Sequence, residues 1–191
     1  MRMFPTAIAM AIALCGATAA FADEDLAARI GASREAIKSF AGALQEQLVS
    51  AMTTGGPTAA IEVCKIAAPD IAAEASDERG WHIGRTSLKL RNPANAPDAW
   101  ELAVLRGFEA RKAAGEDPAG IDHAEFVVHD GQRTFRYMKA IGTQPVCTMC
   151  HGTGITPEVT AALDALYPED QARGFEVGDI RGAFSIVQPA P

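Results

Sequence analysis

Apolar positions recur at helical spacing through the first third of the chain. Leu26, Ile30, Ile37, Phe40, Leu44, Leu48 and Met52 fall three, four or seven residues apart. That rhythm predicts a helix over 25–52 with one apolar stripe. Gly55, Gly56 and Pro57 end it. Pro57 suits the first turn of a second helix, in which Ile61, Cys64, Ala68 and Ile71 share a face. Pro69 has no N–H to donate, so it predicts a kink or a new start. Gly80 closes the helical third.

The period then changes. WHIGRTS (81–87) reads as a short strand with Trp81 and Ile83 on one side. NPANAPD (92–98) is a turn-rich loop, because each proline biases its predecessor away from helix. Residues 99–114 return to helix, with Trp100, Val104, Leu105 and Phe108 on one broad side. AEFVVH and QRTFRYMKAI flank Asp130 and Gly131, the favoured two-residue hairpin connection. Thr156, Pro157 and Glu158 open a short helix to about Leu166, and RGAFSIV (181–187) forms a last strand. No repeat or low-complexity tract interrupts the order. It predicts a single α+β domain over 23–191, with helices leading and a small antiparallel sheet following.

The first residues are set apart as a targeting segment. Arg2 precedes a short apolar run, FPTAIAMAIAL (4–14), and Ala20, Phe21 and Ala22 form an A-x-A pattern before Asp23. The run is too short to span a bilayer, and no later segment approaches a spanning length. Residues 1–22 are therefore expected to be a signal peptide, with the mature chain periplasmic. Its loss removes one arginine and no acid, taking the net charge from −7 to −8. An acidic chain repels phosphate backbones, which argues against nucleic acid as a partner.

Cysteine usage narrows the chemistry further. Of four cysteines, Cys15 leaves with the leader, and Cys64, Cys147 and Cys150 remain. Cys147, Thr148, Met149, Cys150 and His151 form C-x-x-C-H, the pattern of c-type haem attachment. Two thiols on one turn reach the two vinyl groups of one porphyrin, and the adjacent His151 is placed beneath the iron. Export agrees, because covalent haem attachment in bacteria takes place outside the cytoplasm. A zinc half-site would need a second short-spaced pair of ligands, and the sequence offers none. A redox dithiol normally opens a helix of a thioredoxin-like unit, whereas this motif follows a hairpin.

The opposite face of the iron has several candidates: Cys64, His82, His123, His129, Met52, Met138 and Met149. Met149 lies inside the attachment loop and cannot reach that face. Met52 and Met138 sit at core-like positions, and His82 and His129 alternate with apolar strand neighbours. Cys64 is the lone thiol of an exported chain, exposed to oxidation unless something holds it; burial as a small apolar residue is the competing role. Arg85, Lys89 and Arg91 are candidates for the haem propionates, or simply a solvated charged loop.

AAIEVCKIAAPDIA (59–72), GRTSLKLRNPANAPDAWE (84–101), DGQRTFRYMKAI (130–141), VCTMCHG (146–152) and GDIRGAFSI (178–186) together resemble a family of exported or membrane-tethered c-type haem sensors with a PAS-like fold. The resemblance covers most of the mature chain. It implies one haem c held by Cys147 and Cys150, with the iron between His151 and Cys64. A thiolate opposite histidine favours ferric iron. On reduction the Fe–S bond should weaken, Cys64 could leave and CO or NO could enter. That route makes a redox or gas sensor reporting to an unidentified protein partner. The alternative is a low-potential periplasmic electron-transfer cytochrome. Turnover is not expected, since no distal acid–base constellation is evident.

Overall fold

The computed structural model describes residues 15–129 and 131–190, with the backbone alone at 15–24 and at His129. The expected leader, 1–22, therefore lies outside the described residues except for the backbone of its last part.

The first element, α1 (Cys15–Asp77), is two helical limbs meeting at Gly56, whose φ of 71° and ψ of −166° break the helix. Leu26, Ile30, Phe40 and Leu44 from the first limb pack into the same cluster as Ile71, Ala72 and Ala75 from the second. An unbroken helix would hold Phe40 and Ala72 roughly 48 Å apart at about 1.5 Å per residue. The chain must therefore reverse at Gly56, where glycine tolerates positive φ. Two details differ from the sequence reading. The helix begins at Cys15 rather than 25, extended by an alanine-rich stretch of high helix propensity. Pro69 stays inside the second limb, and neither ends it nor starts another.

Four strands follow as β1 (His82–Thr86), β2 (Asp122–His129), β3 (Gln132–Gly142) and β4 (Ile180–Pro189). All neighbours are antiparallel, in the order β1-β4-β3-β2. His129 pairs with Gln132, so the hairpin connection is the expected two residues, with Gly131 at φ 76°. α2 (Ala99–Ala113) lies between β1 and β2 in sequence, and α3 (Thr148–His151) and α4 (Pro157–Leu166) between β3 and β4. The fold is α+β, as expected.

Each sheet face is buried by a different helix. Ile83, Phe135, Tyr137 and Ile186 meet α1, while Met138, Ala140 and Ala183 meet Val104, Leu105 and Phe108 of α2. Asp98 and Glu101 form a reciprocal capping box at the start of α2. Ser185 Oγ donates to Glu101 Oε1 at 2.6 Å, tying the cap to β4. A third cluster joins Ile61 of α1 to Val159, Leu163 and Tyr167, with Cys150 against it. That third cluster lies beside the site.

Candidate functional site

A 3₁₀ turn at Pro145–Cys147 runs directly into α3, so Cys147, Cys150 and His151 share one turn and a half of helix. Three features hold this short segment in place. Gly152 ends it, where a Cβ would stand 2.6 Å from Thr148 O. Phe175 N donates to His151 O at 2.9 Å, and Gly174 N to Gly152 O at 3.0 Å. Thr148 Oγ1 donates to Pro145 O at 2.8 Å.

The imidazole of His151 is fixed from both ends. Nδ1 lies 2.7 Å from Ala172 O and 3.1 Å from Arg181 Nε, while Nε2 lies 3.4 Å from Arg91 Nη1. Nδ1 cannot donate to a carbonyl and accept from a guanidinium at once. The shorter contact decides: Nδ1 carries the proton and gives it to Ala172 O, which leaves a lone pair on Nε2. Burial, then the charges of Arg181 and Arg91, push the imidazole pKa down to about 3. His151 is thus neutral at physiological pH, the form in which histidine binds metal, with its Nε2 lone pair turned toward Arg91 Nη1.

Arg91 is the anchor behind it. Its Nε and Nη2 each reach Asp170 at 3.1 Å, and Nη2 also donates to Cys150 O at 2.6 Å and Ala172 O at 3.2 Å. The pair is 8% and 1% exposed, so water does little to screen it. Asp170 also accepts from Ala172 N at 2.9 Å and from Arg173 Nε at 2.8 Å. Gln171 N donates to Leu90 O at 2.7 Å. The segment from Asp170 to Phe175 thereby sets the pose of His151.

Cys64 sits on the second limb of α1, one turn after Ile61, which packs in the cluster with Cys150. Burial pushes its thiol pKa up, against the opposing charges of Arg85, Arg91 and Arg181. Burial likewise raises Cys150, and Cys64 is near enough to contribute to that rise. Cys64, Cys147 and Cys150 are all free thiols. Among the described residues no three His, Cys, Asp or Glu side chains converge on a small metal ion.

The other sequence candidates fall elsewhere. His82 is exposed on β1, and the side chain of His129 is outside the described set. His123 is exposed on β2 beside Glu125 at 3.1 Å. Met138 is fully buried in the α2 cluster, Met52 is half-buried on α1, and Met149 is 43% exposed. Of the three basic residues, Lys89 is exposed over the Phe175 ring at 4.9 Å, Arg91 is committed to Asp170, and Arg85 is half-buried. Sequence reading missed Asp170, Ala172, Phe175 and Arg181. Only Arg181 had a signal, because it stands inside GDIRGAFSI.

A family profile described as Tll0287-like matches residues 18–189, nearly the whole chain. The chain belongs to the Tll0287-like family. The crystal structure of the cyanobacterial heme-protein Tll0287 aligns with a TM-score of 0.58 over 85% of this chain and 96% of that one, at 24% identity. At that identity the likeness shows the fold. No curated protein matches the chain. Among the described residues no helix is long and apolar enough to cross a membrane.

Proposed function

We propose that this Tll0287-like protein is an exported c-type haem protein that works as a redox or gas sensor. Cys147 and Cys150 would carry the porphyrin as thioethers, and His151 and Cys64 would ligate the iron. The observation that carries the reading is the state of His151. It is neutral, its Nδ1 proton is spent on Ala172 O, and it closes the helical segment that carries the free thiols of Cys147 and Cys150. A ligating histidine is usually oriented by such a bond on its other nitrogen. The donor set suits a haem better than a bare ion, since the thiols and the imidazole do not gather at one point. The haem named for the Tll0287 crystal structure supports the same reading.

The haem would supply an iron whose oxidation state and open position respond to the surroundings. The chain supplies the means of reporting it. Cys64 belongs to α1, whose two limbs cover one face of the sheet and whose second limb packs on α4. Release of the Cys64 sulfur would unfasten that limb from α3, and α1 would shift against the sheet.

A second reading, a low-potential electron carrier, is favoured by exposure beside the attachment turn. Val146 and Met149 are 55% and 43% exposed there, an apolar rim of the kind that redox partners touch. One comparison separates the two. A sensor should bind CO or NO in the ferrous state with loss of the thiolate, whereas a carrier should keep both ligands in both states. Cys64→Ala should retain covalent haem while its absorption spectrum changes and its potential rises. An unchanged spectrum would remove Cys64 from the iron.

A further inference from the structure

Three guanidinium groups face Cys64 from separate segments, Arg85 from β1, Arg91 from the loop after it and Arg181 from β4, and the last two also reach the His151 ring. Arg91 is answered by Asp170. Among the described residues no carboxylate pairs with Arg85 or Arg181. Arg181 Nη1 instead donates to uncharged oxygens, Ser87 Oγ at 3.1 Å and Lys89 O at 3.3 Å. The Arg85 guanidinium lies 5.8 Å over the Phe40 ring. Neither is out in water, and both are half-buried. Gathering unanswered cations away from solvent is costly unless an anion completes them.

The fold goes out of its way to place Arg181. Along β3 and β4, Ile141 pairs with Gly182 but Gly142 pairs with Ile180, so Arg181 is the extra residue of a β-bulge. Bulges re-aim a side chain out of the regular alternation. The neighbouring Gly182 lets β1 close against this point, since a Cβ there would stand 2.4 Å from Thr86 O.

We infer that Arg85, on the Cys64 side, and Arg181, on the His151 side, form a carboxylate clamp, and that the carboxylates they take are the two propionates of the haem held by Cys147 and Cys150. The inference rests on the haem reading above. Charge supports the assignment: two unanswered guanidiniums meet two carboxylates, and Arg forks match that planar shape. Arg91 is excluded by its pairing with Asp170. Lys89 is excluded by its exposure and its position over Phe175.

The test uses the full chain, exported and matured in a host with cytochrome c assembly machinery. Arg85→Gln, Arg181→Gln and their double variant are compared with Arg85→Lys and Arg181→Lys. Three quantities are read: mass, for covalent haem; the resonance Raman propionate bending bands; and the reduction potential between pH 5 and 8. All variants should keep the covalent haem. In the glutamine variants the propionate bands should shift and the potential should fall, because a positive charge that disfavours ferric iron is gone. The double variant should also show a pH dependence that differs from the wild type's, as unpaired propionates begin to titrate. The lysine variants should restore most of both. Unchanged bands and the wild-type pH profile in a haem-loaded double variant would overturn the clamp. A wild-type chain carrying no covalent haem would overturn the haem reading itself, and the clamp with it.

Discussion

Asp170 shows how much of the site depends on a residue that touches none of the attachment motif. Burial works against its charge, but hydrogen bonds from Arg91, Arg173 and the Ala172 amide hold its carboxyl below the usual carboxylate range. Asp170→Asn leaves the Arg91 cation buried with half its partner gone, a change that typically costs about 3–5 kcal/mol. Urea unfolding should show that loss, and Arg91→Ala should show one of similar size. The pH behaviour follows from the same pairing. A depressed carboxylate stabilises the fold fully above its unfolded value of about 4, and the contribution disappears as pH falls through the lower folded value. The wild type should therefore lose stability below about pH 4 through this pair. The asparagine variant should lack that component when melting temperature is followed against pH. None of this was legible in the sequence. YPEDQARG (167–174) has no periodicity, and a buried Asp–Arg pair 79 residues apart leaves no local mark. Cys147, Cys150 and His151 stand out in the sequence because the attachment chemistry proposed for them would demand adjacency.

At the scale of elements, close approaches decide what sequence periodicity cannot. Gly182 sits where β1 ends against β4, and the obstructing atom is backbone, which cannot rotate aside. Gly182→Ala should cost about 1–3 kcal/mol, the usual range for forced overpacking, and should disturb the bulge that aims Arg181. Far-UV circular dichroism with thermal melting would register the stability loss. Wild-type stability in that variant would mean that β1 and β4 have room to part. Asp98→Ala should remove one half of the α2 capping box and cost about 1 kcal/mol, measurable by the same melt. The α2 stripe, the hairpin and the break at Gly56 were read from local signals. The bulge was not, because it exists only in the pairing of β3 with β4. Of the two outcomes that Pro69 allowed, a new helix start is not the one taken: packing on both flanks holds the limb as one helix through it.

Across the whole molecule, the groups of the site are drawn from distant parts of one fold. Cys64 arrives on α1, Arg85 and Arg91 on β1 and its following loop, the attachment motif on α3, and Arg181 on β4. The sheet order β1-β4-β3-β2 makes this possible by setting the last strand beside the first. Sequence reading reached the α+β class and the single apolar stripe, but not that order. Pairing strands nearly a hundred residues apart is written in no single segment. A group bonded to α3 and ligated from α1 would fasten two elements that otherwise meet only through packing, so it should raise the unfolding temperature of the whole chain. The proposed haem function depends on one covalent linkage, which intact mass under denaturing conditions would read directly. The chain exported from a strain able to mature c-type cytochromes should weigh one haem more than its polypeptide, and Cys147→Ser with Cys150→Ser should abolish the gain. A colourless wild-type chain of unmodified mass, from cells that mature another c-type cytochrome normally, would contradict the account.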